Sequence, residues 1–385
     1  MYSDDHHAML NSLTIKNYKC FEDFVFDFDP DVRAMLLLGN NGAGKTSLAD
    51  ALEVFQRIGR GEGQARRLLY PDQRWDENNP VEFKLSSTLN NVLYEYAFSF
   101  DFSNKFKEFR ILSEILKCDK KSIYRREREN IFWEDNTNSD FSYDGHVLFL
   151  PTFHKEPLRE HINTFRSWLG NMLILAPSPK DFKDESGTPS RWPSRDCSNC
   201  VSWLAHILDI SPKTYSVIEN YLQNVWEDFH TISNKAVVSD EVRRLRLEFK
   251  NTTNKNKTEF SPALNSLSDG EKCLFLSAVV MAAHEVNPSI FCFWDKPDSY
   301  LSLSETGHFI HAMRGVFSKN GQLLVTSHNT EVINAFTESS TWVMGRKDHL
   351  SPVKPLKRIS DMRGSEILPK KASFIHALAA GEIRV

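Results

Sequence analysis

Residues 39–46, GNNGAGKT, limit what this chain can fold into more than any other stretch. A continuous apolar run, AMLLL at 34–38, leads into them, and a helix-period segment follows from about Thr46 to Ile58. The run reads as a strand buried on both faces. The pattern G-x-x-x-x-G-K-[ST], set between such a strand and a helix, builds a phosphate cradle. Its glycines let successive backbone N–H groups turn inward, and the helix N-terminus adds partial positive charge. In this reading Gly39, Asn40, Asn41, Gly42, Ala43 and Gly44 surround the phosphates, with Ser47 in the first helical turn. Lys45 reaches the β- and γ-phosphates, and Thr46 places its hydroxyl on Mg²⁺. No [NT]-K-x-D pattern for reading guanine stands out in the last third, which weighs against GTP.

The remaining patterning reads as α/β. Apolar and polar residues alternate from Leu13 to Phe28 and again through 80–150, predicting antiparallel strands in a meander. Residues 156–235 read as largely helical, broken by a loop rich in Pro, Ser and charge (PSPKDFKDESGTPSRWPSRDCSN), and EVRRLRLEFK at 241–250 reads as a strand. The last third alternates helix and strand, the pattern of parallel strands with helical crossovers. The expected organisation is an N-terminal lobe (1–155), an inserted, mainly helical lobe (156–240) and a C-terminal lobe (241–385).

Three further motifs follow the glycine loop in order. LSDGE at 267–271 opens the helix-period segment GEKCLFLSAVVMAAHEV. FCFWD at 291–295 reads as a buried strand delivering a carboxylate, and LLVTSH at 323–328 as another strand, ending in a histidine. Together these resemble the motifs of the ABC-type ATPases, in the branch of the structural-maintenance (SMC), RecF and OLD-type proteins. The resemblance spans Leu13 to about Arg346. It implies an α/β P-loop ATPase head, a mixed sheet flanked by helices, with an antiparallel meander and an inserted helical lobe. It also implies ATP as the nucleotide, Mg²⁺ held by Thr46 and Asp295, and His328 as a switch residue sensing the γ-phosphate. Ser268, Gly270 and Glu271 would close on the nucleotide of the opposite protomer. A complete site then needs a head-to-tail homodimer that sandwiches two nucleotides, with a higher oligomer also compatible. Gln64 and Gln73 lie too near the first helix to serve as the family's coupling glutamine. Lys19, in IKNYKCF, matches a basic residue of the RecF-like opening; it either approaches the nucleotide or, as the default reading, is an exposed strand lysine.

One position departs from the family. The residue after Asp295 usually supplies a carboxylate that orients the attacking water, and here it is Lys296. A protonated amine cannot do this, and losing a general base typically costs about 10²–10⁴ in rate. Tight ATP binding with slow or absent hydrolysis is expected. Three accounts of Lys296 stay open: a natural ATP-sensing clamp, an inactivating substitution, or replacement of the missing base by Asp298 or Glu305.

No nuclease, protease or transferase constellation is visible in the sequence, and ASFIHALAAGEIRV at the end resembles the closing helix of the OLD-like branch. That layout resembles the stand-alone ATPase subunits of bacterial anti-phage systems, the PtuA type of Septu and the AriA type of PARIS. It implies a separate effector, a toxin or a nuclease of HNH or TOPRIM type. The alternative is a RecF-like DNA-repair clamp acting on DNA directly; a transporter ATPase is disfavoured. A net charge of −4 gives no bulk reason to bind nucleic acid. No apolar run approaches the ~18 residues of a membrane span, and MYSDDHHAML lacks the basic start of a secretory signal, so a cytoplasmic protein without a membrane partner is expected. The lone CSNC pair (197–200) reads as incidental cysteines rather than zinc ligands with His206 or His161. Arg244 and Arg246 share a strand face, either toward phosphates or in cross-strand charge pairs.

Overall fold

The computed structural model describes residues 8–133, 141–153, 160–236, 243–250 and 259–362. The closing segment 372–385, assigned above to a helix, lies outside them.

Two sheets clamp one helix. The chain starts with the antiparallel strands β1 (Ala8–Tyr18) and β2 (Phe21–Asp27), and then enters β3 (Ala34–Leu38). From β3 it turns into α1 (Lys45–Gly59) and the short α2 (Ala65–Leu68). A meander follows: β4 (Val81–Leu89), β5 (Val92–Ser103), β6 (Glu108–Cys118), β7 (Lys121–Glu127), β8 (Asn130–Trp133) and β9 (Phe141–Ser142). With β1 and β2 it forms one antiparallel sheet in the order β2-β1-β4-β5-β6-β7-β8-β9. Next come α3 (Glu160–Asn171), β10 (Leu173–Leu175), β11 (Glu185–Ser186), α4 (Cys200–Ile210), α5 (Thr214–Val225), β12 (Phe229–Ala236), β13 (Arg243–Lys250) and β14 (Glu259–Phe260). The last third supplies α6 (Asp269–Val286), β15 (Phe291–Asp295), α7 (Leu303–Phe317), β16 (Gln322–Thr326), α8 (Thr330–Ala335), β17 (Thr341–Val343), β18 (Lys357–Arg358) and α9 (Ile359–Met362).

The second sheet runs β10-β15-β16-β3-β17-β18; its first five strands are parallel and β18 closes it antiparallel. Its inner strands β3, β15 and β16, with β10, are largely apolar because both faces are covered, whereas β18 is Lys357–Arg358. Met35 and Leu37 of β3 point into the core shared with α1 and the meander, while Leu36 and Leu38 point into the core under α4–α7. On the meander side, Phe55 of α1 sits edge-on to Phe83 and Phe98 at centroid distances of 6.0 and 5.3 Å. The helix that starts at the glycine loop is therefore held by hydrophobic packing on two sides.

Residues 156–240 do not read as helically as their composition suggests. Besides α3, α4 and α5 they hold β10, which joins the parallel sheet beside β15, and β11 and β12, which make a small sheet with β13 and β14. A three-residue strand such as Leu173–Leu175 is too short to show a periodicity. The loop before α4 is not a free solvent loop either, since Arg195 bonds Asp50 and lies 2.8 Å from Glu53, both on α1.

Candidate functional site

The glycine loop hangs between β3 and α1. Gly42 and Gly44 adopt left-handed φ of 80° and 110°. A Cβ at Gly44 would sit 2.9 Å from Val353 Cγ2 and 3.0 Å from Cys20 Sγ, so both conformation and space demand glycine there. The N-terminus of α1 has no side-chain cap and no acidic residue in its first turn. Its leading N–H donors are therefore left for an anion, the arrangement a phosphate requires.

Lys45, 6% exposed, folds back to donate to the carbonyls of Gly39 and, at 3.2 Å, Asn40. Its Nζ is also 3.4 Å from His328 Nε2, at the end of β16. Burial, reinforced by the charge of Lys296 and opposed by Asp295, brings its pKa down to about 8. The same surroundings, burial first and then Lys45 and Lys296, lower that of His328, so a neutral imidazole faces the ammonium near pH 7. Thr46 Oγ1 lies 3.4 Å from Asp295 Oδ2, while Thr326 donates to Asp295 Oδ1 at 2.5 Å. A hydroxyl and a carboxylate oxygen at the mouth of a phosphate cradle are the donor types that Mg²⁺ selects. The residues present fit Mg²⁺·ATP.

Lys296 faces this same space. It lines a cavity of about 400 Å³ with residues 41–47, Lys19, Trp75, Arg346 and His349. Its backbone is left-handed (φ 50°) and pinned by its N–H to Thr326 O at 3.1 Å and Thr326 Oγ1 at 3.0 Å. A non-glycine residue in that conformation costs on the order of 1–2 kcal/mol, the kind of strain found at functional sites. Of the two carboxylates weighed as replacements, Glu305 is spent on capping α7, where it accepts from Ser302 N at 2.8 Å. Asp298 stays near the site: it accepts from Ser327, burial raises its pKa, and its Oδ1 is buried with no partner among the described residues.

The LSDGE segment folds into a capping box. Ser268 Oγ accepts from Glu271 N at 3.3 Å, and Glu271 Oε2 accepts from Ser268 N at 2.7 Å. Ser268 remains exposed at the start of α6, and neither it nor Gly270 lines the cavities around the glycine loop. The close approach that Gly270 permits within the chain is to Tyr300, whose carbonyl would lie 2.9 Å from an added Cβ.

Sequence reasoning missed Trp75, Arg346 and His349. The last two come from the loop after β17 and overhang Gly42, where a Cβ would meet His349 Nε2 at 3.5 Å and an Arg346 amine nitrogen at 3.6 Å. A second cavity of about 350 Å³ opens between that loop and residues 39–43. The basic run GRKDH was the one available signal. The default reading of Lys19 also needs correction: it occupies the turn between β1 and β2, pairs with Asp50 and lines the cavity. Cys197 and Cys200 are buried, with the Cys200 thiol pushed up to about 12 by burial, and His161 bonds Tyr94 at 3.0 Å. Arg244 makes a charge pair with Glu185 across β13 and β11, while Leu245 and Leu247 fill the core behind it.

A family profile described as "AAA ATPase domain" matches residues 9–144. Among curated proteins, the "Chromosome partition protein Smc" of Chlorobaculum tepidum is 31% identical over 104 residues, covering 27% of this chain and 8% of that protein. That of Coxiella burnetii is 35% identical over 82 residues, covering 21% and 7%. The chain thus matches less than a tenth of these relatives' length. Among solved structures, the SmcHead bound to the C-winged helix domain of ScpA aligns over 91% of this chain and 99% of that one, with a TM-score of 0.55 and 14% identity. The Pyrococcus furiosus Smc head domain with an extended coiled coil, bound to the C-terminal domain of ScpA, aligns over 93% and 98%, with a TM-score of 0.52 and 11% identity. The chain has the SMC-head fold, an ABC-type ATPase architecture, as its motif order implied. Among the described residues no helix is long and apolar enough to cross a membrane.

Proposed function

We propose that this SMC-head fold binds ATP and Mg²⁺, hydrolyses ATP slowly or not at all, and acts as a nucleotide-held clamp that regulates a separate effector. The observation that carries the reading is the convergence of Lys45, Thr46, Asp295 and His328, drawn from three elements, at the uncapped start of α1. When bound, Mg²⁺ supplies charge neutralisation on the phosphates. The chain's own residues hold the nucleotide. Backbone N–H groups of 39–46 cradle the phosphates, Lys45 leaves its carbonyl partners for them, and Thr46 and Asp295 present oxygens. His328 reports on the γ-phosphate position. Lys296 presents an ammonium where water activation would need a base, so bound ATP is stabilised more than its hydrolysis.

The exposed start of α6 supports a two-chain site in which Ser268, Gly270 and Glu271 close on the nucleotide of a second copy. The two SMC-head structures were each solved with a domain of ScpA, which supplies a precedent for a partner protein on this fold. The reading extends to a bacterial anti-phage ATPase subunit whose partner is a nuclease or toxin. The test is twofold. ATP should convert the chain from monomer to dimer in analytical ultracentrifugation, and Ser268→Arg should abolish that conversion while keeping ATP binding. Co-expression with the product of the neighbouring gene should yield a stable complex. Salt-dependent DNA binding by the isolated chain with no such complex would favour direct action on DNA.

A further inference from the structure

A separate basic pocket opens at the far end of α1. The helix has 15 residues, so this end lies about 22 Å from the glycine loop. The pocket holds about 220 Å³ between Arg60 at the end of α1, Asn163 and Arg166 of α3, and Arg191 and Trp192 of the loop before α4. Among the described residues no carboxylate lines it.

The three guanidiniums are not equivalent. Arg60 is committed to structure: its Nε donates to Gly170 O at 3.0 Å and its terminal nitrogens reach Met172 O and Pro193 O, each at 3.4 Å. Arg166 gives one N–H to Phe153 O. Arg191 has no hydrogen bond or ion pair among the described residues and lies 4.9 Å above the Trp192 ring. That ring is fixed in turn by its Nε1 donating to Asn171 Oδ1 at 3.2 Å, and Arg60 packs on it at 5.2 Å. At the floor, Gly59 and Gly170 meet backbone to backbone, a Cβ at Gly59 falling 2.2 Å from Gly170 N, so no side chain fills the space. Burial and then the charge of Arg191 both disfavour the charged form of Arg166. Arg166 and Arg191 thus line one pocket, Arg191 against the Trp192 ring, with no counter-charge among the described residues. Such a pair is unfavourable until an anion enters.

We infer that this pocket binds a phosphate group, through the fork of Arg191 and the remaining N–H groups of Arg166, beside the Trp192 ring. A single carboxylate would occupy one fork, whereas the several oxygens of a tetrahedral phosphate accept from two. The phosphate could belong to a free small molecule or to the backbone of a nucleic-acid strand, whose bases the indole could flank. The inference is independent of what the glycine loop binds.

The test uses the full chain carrying Lys45→Ala, which weakens anion binding at the glycine loop, with and without Arg191→Gln. The probes are inorganic phosphate by calorimetry and a twelve-nucleotide single strand by fluorescence anisotropy at several salt concentrations. Loss of one charged fork should weaken the probe that occupies the pocket about 10-fold or more. Weakened phosphate binding with an unchanged oligonucleotide identifies a free ligand. A weakened oligonucleotide, with its salt slope reduced by about one, identifies a strand. Arg166→Gln should repeat the result, and equal melting temperatures show that the variants fold. Equal affinities with and without Arg191, or no binding of either probe at about 10 mM phosphate and low salt, overturn the inference.

Discussion

The lowered pKa of Lys45 makes ATP affinity depend on pH in a direction and size that follow from the site. In the free protein the ammonium is buried against carbonyls and faces Lys296, which brings its pKa down to about 8. A bound triphosphate adds several negative charges at the same point and restores the charged form, so binding takes up a proton wherever free Lys45 is neutral. Affinity must therefore fall as pH rises through about 8. The protonated fraction of a group with that pKa is roughly three-quarters at pH 7.5 and a tenth at pH 9, which gives about an eightfold loss. Starting at pH 7.5 keeps clear of the phosphate's own ionisation near pH 6. His328 is held below its usual range and stays neutral across this window. Calorimetry of Mg²⁺·ATP at the two pH values, in buffers of different ionisation enthalpy, measures both the affinity and the proton uptake. Lys45→Ala should bind more weakly and lose the pH dependence. A wild-type affinity that is flat between pH 7.5 and 9, or a slope that survives in Lys45→Ala, would refute the argument.

Other perturbations test separate parts of the molecule. Lys296→Glu restores a carboxylate beside Asp295 and should raise single-turnover hydrolysis by about 10²-fold or more; an unchanged rate means that Asp298 or another group already supplies the base. Glu114→Ala removes a buried carboxylate that accepts from Tyr96 and Tyr124, each at 2.8 Å, and from the N–H groups of Phe149 and Leu150. It also leaves Arg126, 3.9 Å away and with its side chain fully buried, without its counter-charge, so urea denaturation should show a loss of about 3–5 kcal/mol. Gly270→Ala places a methyl 2.9 Å from the Tyr300 carbonyl and should weaken ATP-driven dimerisation while sparing ATP binding at the glycine loop, as read by sedimentation and calorimetry.

What could be read from the sequence was whatever local chemistry dictates. The glycine loop, the strand ending in Asp295 and the cap at Ser268 each carry their reason within a few residues, so they stood out before any fold was known. The meander was legible from its alternation. Trp75, Arg346 and His349 were not, because nothing near them in sequence requires them to meet; the closure of two sheets around α1 brings them to the glycine loop. Lys19 was misjudged for a related reason. Its strand context suggested solvent, but the turn that follows Tyr18 is left-handed at Lys19 and swings the side chain onto Asp50. Short β10, β11 and β14 escaped because a strand of two or three residues has no period, whereas β13 was read as a strand and the eight-residue β12 was missed at the end of a segment read as helical.

The turn after β15 makes one unit of features that the sequence lists separately. Lys296 is bonded through its backbone to Thr326, the residue that also holds the Asp295 carboxylate. Two residues on, Asp298 accepts from Ser327, which adjoins His328. Two more residues on, the carbonyl of Tyr300 abuts Gly270 in the first turn of α6. A displacement of the Lys296 backbone therefore cannot stay local. It either strains the bonds to Thr326 and Ser327 or shifts the backbone against which the start of α6 is packed. Because Gly270 leaves no side chain to absorb the displacement, the contact passes it on as a rigid step. Lys296 thus sits at the junction between the strands that end beside the glycine loop and the first turn of α6.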